Sequence, residues 1–126
     1  MKKLLIFIFS ILLSFNSYGE WTKEFTGNNG VDFYLDYETI KKHNGYVYYW
    51  GLSDFLLPSP SGKMSAKAYY QVDCDLLRHI VLSYVFYELS MGKGSSKQSK
   101  GNGEWLYGSP GTIGYLQDKS ACDYVD

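Results

Sequence analysis

The chain contains only two cysteines, Cys74 near its middle and Cys122 close to its C-terminal end. Cys74 lies in the short segment 73–77, which separates two stretches rich in apolar residues and is predicted to be the turn between two strands. If the cysteines are joined, this turn is linked to the last segment of the chain. No other feature of the sequence restricts the possible folds as strongly.

The first 19 residues are typical of a secretory signal peptide. A basic start precedes an almost unbroken apolar run, and Ser17 and Gly19 place small residues where a signal peptidase cleaves. The run is too short to span a bilayer as a permanent helix. We therefore predict a cleaved signal peptide over 1–19 and a single domain over 20–126, with no membrane span in the mature form.

The predicted export determines the expected oxidation state of the two cysteines. Oxidising compartments favour disulfides, so Cys74 and Cys122 are predicted to form one. Closing a loop of roughly 50 residues stabilises a fold by about 4 kcal/mol in the chain-entropy model. That is a large share of the roughly 5 to 15 kcal/mol by which such domains are stable.

Alternating apolar and polar residues predict a series of strands joined by short turns. A first hairpin surrounds the turn residues 27–30, and Trp21 and Phe25 are expected on one face of its first strand. A long strand over 46–57 and two more over 65–72 and 78–87 then follow. Such neighbours with short links imply an antiparallel meander.

The C-terminal third combines a low-complexity segment with a helix. Residues 91–103 are rich in Gly and Ser and contain no acid, so they are predicted to form a mobile exposed loop. A helix is expected from Pro110 to about Cys122, with Ser109 as its cap. Its inner side is predicted to carry Ile113, Tyr115, Leu116 and Cys122. The fold class is therefore α+β, a twisted antiparallel sheet of about five or six strands with one C-terminal helix tied to it by the disulfide.

In this order, the motifs of the chain resemble those of the surface-adhesin protein E family of small exported bacterial domains. The matching motifs are Glu20-Trp21, Phe33-Tyr34-Leu35-Asp36, Trp50-Gly51-Leu52-Ser53-Asp54, Asp73-Cys74, Met91-Gly92-Lys93-Gly94, Trp105 and Ser109-Pro110-Gly111-Thr112 before Cys122. The resemblance implies the same sheet, helix and disulfide. It also implies a protein that binds host macromolecules and does not turn over a substrate.

Two groups of residues are candidates for a binding site. Lys93, Lys97 and Lys100 lie in the low-complexity segment, either as solubilising charges of a linker or as a flexible basic finger that attracts an acidic partner. Tyr46, Tyr48 and Trp50 share one face of the long strand. This aromatic group is either a contact surface or is buried under the helix or in a homodimer interface.

The sequence gives little indication of catalysis, metal binding or nucleic-acid binding. His43 and His79 have no recognisable nucleophile or ligand spacing beside them, so structural roles are favoured. Two distant cysteines do not make a zinc site, and no cofactor is expected. Two of the 12 basic residues lie in the signal peptide, against 13 acidic residues in all, so the mature chain is slightly acidic and no nucleic-acid partner is expected.

The sequence therefore predicts an exported, non-enzymatic binding protein. The expected partner is a protein, with a host extracellular-matrix protein or an acidic glycan as candidates, and an exposed sheet edge permits a homodimer. The alternative is a periplasmic protein that inhibits or chaperones another protein. No cysteine closely follows the apolar run, so no lipid anchor is expected, and the chain is predicted in the periplasm, at the cell surface or in the medium.

Overall fold

The computed structural model describes residues 20–125, so the predicted signal peptide over 1–19 lies outside the described residues. The described chain forms eight strands and ends in one α-helix. The strands are β1 (Thr22–Thr26), β2 (Asp32–Leu35), β3 (Lys41–His43), β4 (Tyr46–Asp54), β5 (Ser65–Asp73), β6 (Arg78–Tyr87), β7 (Ser96–Lys100) and β8 (Leu106–Tyr107), followed by helix α1 (Ile113–Val125).

All strands belong to one antiparallel sheet, whose main order is β1-β2-β4-β5-β6-β7. Two short strands extend it: β3 pairs with the start of β4, and β8 pairs with the start of β6. The predicted antiparallel sheet with one C-terminal helix is confirmed. The count of five or six strands was too low because β3 and β8 are short segments that lie along edges also used by β2 and β7.

The segment 91–103 was predicted to be a mobile loop, and for its centre this is wrong. Ser96–Lys100 pairs with β6 from Tyr87 to Ser83 and forms an outer strand of the sheet. Before it, the N–H of Glu88 donates to the carbonyl of Ser95 at 3.0 Å. The open edge of β6 supplies the hydrogen bonds, so a strand forms although the residues themselves have little strand preference.

Helix α1 was predicted to begin at Pro110. It begins three residues later, at Ile113. Gly111 has a left-handed backbone with φ of 88°, which is incompatible with a helix at that position. Thr112 is the residue that caps the helix, because its Oγ1 accepts a hydrogen bond from the N–H of Tyr115 at 3.4 Å. The predicted cap, Ser109, instead accepts through its carbonyl from Thr112 in the preceding turn.

The hydrophobic core lies between α1 and one face of the sheet. It consists of Leu35, Ile40, Val47, Tyr49, Val72, Ala121 and Cys122. The predicted disulfide is present: Cys74, in the turn between β5 and β6, is bonded to Cys122, with 5.9 Å between the Cα atoms. The helix covers this single face, and the opposite face of the sheet is left for other contacts.

Candidate binding face

Strand β4 divides its aromatic residues between the two faces of the sheet. Val47 and Tyr49 are fully buried on the helix side, whereas Tyr46, Tyr48 and Trp50 are half-buried on the other side. This division follows from the two-residue period of a strand. Burial of the predicted aromatic group under the helix is therefore wrong, because α1 packs on the opposite side. We call the side that carries Tyr46, Tyr48 and Trp50 the aromatic face.

Aromatic rings on this face stack across neighbouring strands. The ring centroid of Tyr69 on β5 lies 4.9 Å from that of Trp50 and 6.0 Å from that of Tyr48. Tyr46 contacts Trp105 with 5.8 Å between centroids. Stacking of this kind holds rigid, flat side chains in place at the surface, which is a common property of protein contact sites.

One end of the aromatic face contains a cavity of about 660 Å³. Trp50 lies in its wall, whereas the other lining residues are not part of the predicted aromatic group. These are Trp21, Asp36, Lys67, Val85, Tyr87, Met91, Gly92 and Lys93. A volume of this size is in the range of sites that hold a small molecule or a few side chains of a partner.

The turn at residues 90–92 closes one end of the cavity and is fixed in place. The N–H of Met91 donates to Oδ1 of Asp54, and the N–H of Gly92 donates to Oγ of Ser65, each at 2.9 Å. Both Met91 and Gly92 have left-handed backbones, with φ of 58° and 70°. The cavity is thus built on hydrogen bonds to β4 and β5, which makes its shape rigid.

The three candidate lysines do not form one basic finger. Lys93 lines the cavity, so it belongs to the aromatic face. Lys97 and Lys100 lie on β7, paired with Phe86 and Ser83, and their odd spacing directs them to opposite faces of that strand. Of the three lysines, Lys93 is therefore the one that lines the cavity with Trp50. Lys100 shares the aromatic face, because its partner Ser83 pairs with Tyr69, and Lys97 lies on the helix side.

A second polar cluster lies between the sheet and the helix. Buried Asp118 of α1 accepts a hydrogen bond from the Tyr49 hydroxyl at 2.7 Å, and its other oxygen lies 2.8 Å from Nδ1 of His79. Burial in the core, with the Asp118 carboxylate as the next cause, raises the pKa of Tyr49 well above its ordinary value. The cluster is enclosed by the core and connects helix to sheet.

The predicted structural role of His79 fits this position, because its ring is packed against Tyr70 and paired with Asp118. His43 lies on β3 and is exposed, with Nε2 3.1 Å from the side-chain nitrogen of Asn44. Over residues 20–125, no three His, Cys, Asp or Glu side chains are grouped so that they could bind a metal ion. In the same part of the chain, no helix has the length and apolar character that crossing a membrane requires.

These features define a class: a small α+β protein whose helix is fixed to one sheet face by a disulfide and whose other face carries aromatic side chains and a cavity. The family model of surface-adhesin protein E matches residues 21–123. The chain therefore belongs to the surface-adhesin protein E family, as the order of its motifs predicts.

Solved structures of Haemophilus influenzae protein E have the same fold. Crystal form II aligns with a TM-score of 0.65 at 20% identity and covers 84% of this chain and 90% of that one. A second structure of protein E gives a TM-score of 0.62 at 19% identity, over 82% and 83% of the two chains. A selenomethionine form gives 0.61 at 21% identity, over 82% and 85%. No curated protein sequence matches the chain significantly.

Proposed function

We propose that the chain is an exported, non-enzymatic binding protein that attaches to a protein partner through its aromatic face. A host extracellular-matrix protein is the partner class that membership of a surface-adhesin family favours. The observation that carries the proposal is the position of Tyr46, Tyr48 and Trp50, which remain partly exposed on the sheet face that the helix does not cover.

The side chains of the aromatic face are of the types that give the most binding energy. Tyr and Trp contribute large contact areas with few rotatable bonds, and they dominate the residues whose truncation weakens interfaces. On the aromatic face they are already held by stacking against Tyr69. A partner would therefore meet ordered rings, and little conformational entropy would be lost when it binds.

Binding to immobilised host extracellular-matrix proteins, measured by surface plasmon resonance, tests the proposal. Replacing Tyr48 with Ser removes a ring from the aromatic face, and we expect roughly tenfold weaker binding, a typical effect of truncating an interface aromatic. Tyr124→Ser is the matched control, because Tyr124 is an exposed tyrosine on α1, behind the sheet. Equal effects of the two substitutions would contradict the assignment of the binding face.

Protease treatment of intact cells tests the proposed location. Digestion of the chain from outside, or its presence in the medium, supports an outward-facing binder. Complete protection until the outer membrane is opened would contradict surface display. It would favour the alternative of a periplasmic protein that inhibits or chaperones another protein.

A further inference from the structure

The cavity of the aromatic face contains a lysine, Lys67, whose ammonium group packs against aromatic rings. The Nζ atom of Lys67 lies 5.1 Å from the ring centroid of Tyr87 and 5.7 Å from that of Trp21. Within residues 20–125 this lysine forms no ion pair. Two aromatic rings attract the ammonium group weakly, but neither accepts strong hydrogen bonds from its three N–H donors.

The carboxylates on the same face of the strands are already engaged. They are Asp32, Asp54 and Asp73, which share this face because the strand registers place them there. Their partners are, in order, Lys23 at 3.6 Å, the N–H of Met91 at 2.9 Å and Arg78 at 3.0 Å. None of these carboxylates lies within 4.0 Å of Nζ of Lys67, so Lys67 has no direct counter-ion among residues 20–125.

Asp36 also lines the cavity, but its carboxylate is used within its own turn. Its Oδ1 accepts a hydrogen bond from the N–H of Glu38 at 3.2 Å, and only 4% of the residue is exposed. It caps the short helical turn after β2. Asp36 thus lines the cavity, but its carboxylate lies more than 4.0 Å from Nζ of Lys67, since no ion pair joins them.

Gly92 fixes the stem of Lys67 in the cavity. A Cβ atom on Gly92 would lie 3.0 Å from Cε of Lys67, so the backbone of the 90–92 turn passes directly over the lysine. Because Asp54 and Ser65 hold that turn, the lysine has little room to swing away. Its ammonium group is held among apolar and aromatic walls, where an ion pair is screened less than at an open surface.

From these contacts we infer that the cavity receives a carboxylate that is directly attached to an apolar group, supplied by an acidic segment of the partner protein. Lys67 binds the carboxylate, and Trp21, Trp50 and Val85 contact the apolar part. Lys93 at the rim adds a second positive charge. The inference rests on the proposed function and specifies the part of the partner that the site recognises.

A small acid and its neutral amide test the chemistry without knowledge of the partner. The probes are 3-phenylpropanoate and 3-phenylpropanamide, and the readout is the NMR signals of the Trp21 and Trp50 indole N–H groups in the exported chain. For a ligand of this size we expect a Kd of the acid on the order of a few millimolar. The amide should bind about fivefold more weakly or worse, because it offers no charge to Lys67.

Three variants establish whether Lys67 is responsible. Lys67→Gln should abolish the preference for the acid, and Lys67→Arg, which keeps the positive charge, should retain it. Lys97→Gln is the matched control, because Lys97 is an exposed lysine on the opposite side of the sheet. The Lys67→Arg variant also keeps the test valid if removal of the charge at position 67 disturbs folding.

Several results would overturn the inference: equal affinity for acid and amide, indole signals that do not respond, or a preference that survives Lys67→Gln. Failure of this inference is distinguishable from failure of the proposed function. If a matrix protein binds through Tyr48 but Lys67→Gln leaves its affinity unchanged, the proposed function stands and the carboxylate site is wrong. If neither substitution affects binding, the aromatic face itself is the wrong surface.

Discussion

The two faces of the sheet use the same residue type in opposite ways. Tyr49 and Tyr48 are neighbours on β4, yet Tyr49 is completely buried under the helix and Tyr48 is half-buried on the aromatic face. The hydroxyl of Tyr49 donates to Asp118 within the protein, and its ring stacks on Tyr70 with 4.9 Å between centroids. Tyr48 stacks on Tyr69 at 6.0 Å and has one side open to solvent.

The difference shows how a tyrosine-rich chain separates stability from binding. On the helix side, the Tyr49 hydroxyl and the Asp118 carboxylate satisfy each other's hydrogen bonding away from water, and the arrangement stabilises the fold. On the aromatic face, the rings are ordered by stacking but their contact surface is still available. Substitutions on the helix side should therefore change the free energy of unfolding, and substitutions on the aromatic face should change binding.

The largest effect is expected for Asp118→Ala. This change leaves the buried Tyr49 hydroxyl without its acceptor and removes the partner of His79. Breaking such a buried pair of interactions should lower the free energy of unfolding by about 3 kcal/mol. Urea denaturation followed by circular dichroism measures the change.

Asp123→Ala is the control for this substitution. Asp123 is exposed on the same helix and pairs with Lys119 four residues earlier, at 3.4 Å. An exposed pair of this kind contributes only about 0.3 to 0.5 kcal/mol. Comparable losses for the two variants would mean that Asp118 is not the link between helix and sheet.

A smaller effect is expected in alkaline solution. Burial raises the pKa of both Tyr49 and Tyr70, so these hydroxyls stay protonated in the native state while the unfolded chain loses their protons near pH 10. Stability that is present below pH 10 is therefore lost as the pH rises further. Each such tyrosine should lower the free energy of unfolding by about 1.4 kcal/mol per pH unit above pH 10.

Comparison with Tyr49→Phe isolates this contribution. The variant lacks one of the two hydroxyls, so its stability should fall less steeply between pH 10 and 11, while all lysines and the disulfide remain the same. The free energy of unfolding is measured at each pH by urea denaturation with short incubations. Identical slopes for the parent chain and the variant would show that Tyr49 does not control the alkaline limit.

The smallest effect is expected at neutral pH for the paired substitutions Tyr49→Phe and Tyr48→Phe. Loss of the buried hydroxyl at position 49 should cost about 1 kcal/mol, the typical net value of one internal hydrogen bond. Loss of the hydroxyl at position 48 should leave the free energy of unfolding within about 0.5 kcal/mol of the parent. A larger cost at position 48 would remove the distinction between the two faces.

Much of the fold follows from local patterns in the sequence. The strands around 46–54, 65–73 and 78–87 have clear alternation and short links, and export predicts the bond between Cys74 and Cys122. Features that depend on tertiary context were not accessible in this way. The strand β7 forms within the Gly- and Ser-rich segment 91–103 because β6 presents an unpaired edge.

Irregular strand pairing also changes which face of the sheet a residue lies on. Trp21 and Phe25 were expected on one face, but the register shifts between Lys23 and Phe25, so Phe25 lies opposite Phe33 while Trp21 lines the cavity on the other face. A bulge inserts one residue and thereby exchanges the faces that follow it. No local pattern in residues 21–25 indicates where the shift occurs.

The buried side of helix α1 also differs from the one that the local sequence pattern predicted. Apolar spacing predicted Ile113, Tyr115, Leu116 and Cys122 on the inner side. The most buried positions are Gln117, Asp118, Ala121 and Cys122, with the other three only half-buried. A charged residue is expected at the surface unless its partners are known. Here the partners are Tyr49 and His79, which are distant in sequence and meet Asp118 only in the folded chain.

The candidate site was predicted in part. Trp50 and Lys93 were singled out, but their neighbour Lys67 was not, although it is two residues before Tyr69 on an alternating strand. Placing Lys67 beside Leu52 and Tyr69 beside Trp50 requires the exact register between β4 and β5. The loop that joins those strands contains ten residues, 55–64, and does not by itself fix that register.

The charges on β7 also affect how the molecules behave at high concentration. An outer strand exposes unpaired backbone groups, and flat outer strands of different molecules tend to join into extended sheets. All five residues of β7 are exposed, and Lys97 and Lys100 project from its two sides. Any second sheet that approached this edge would meet a lysine whichever side it lay on, so the charges of β7 oppose edge-to-edge joining of two molecules.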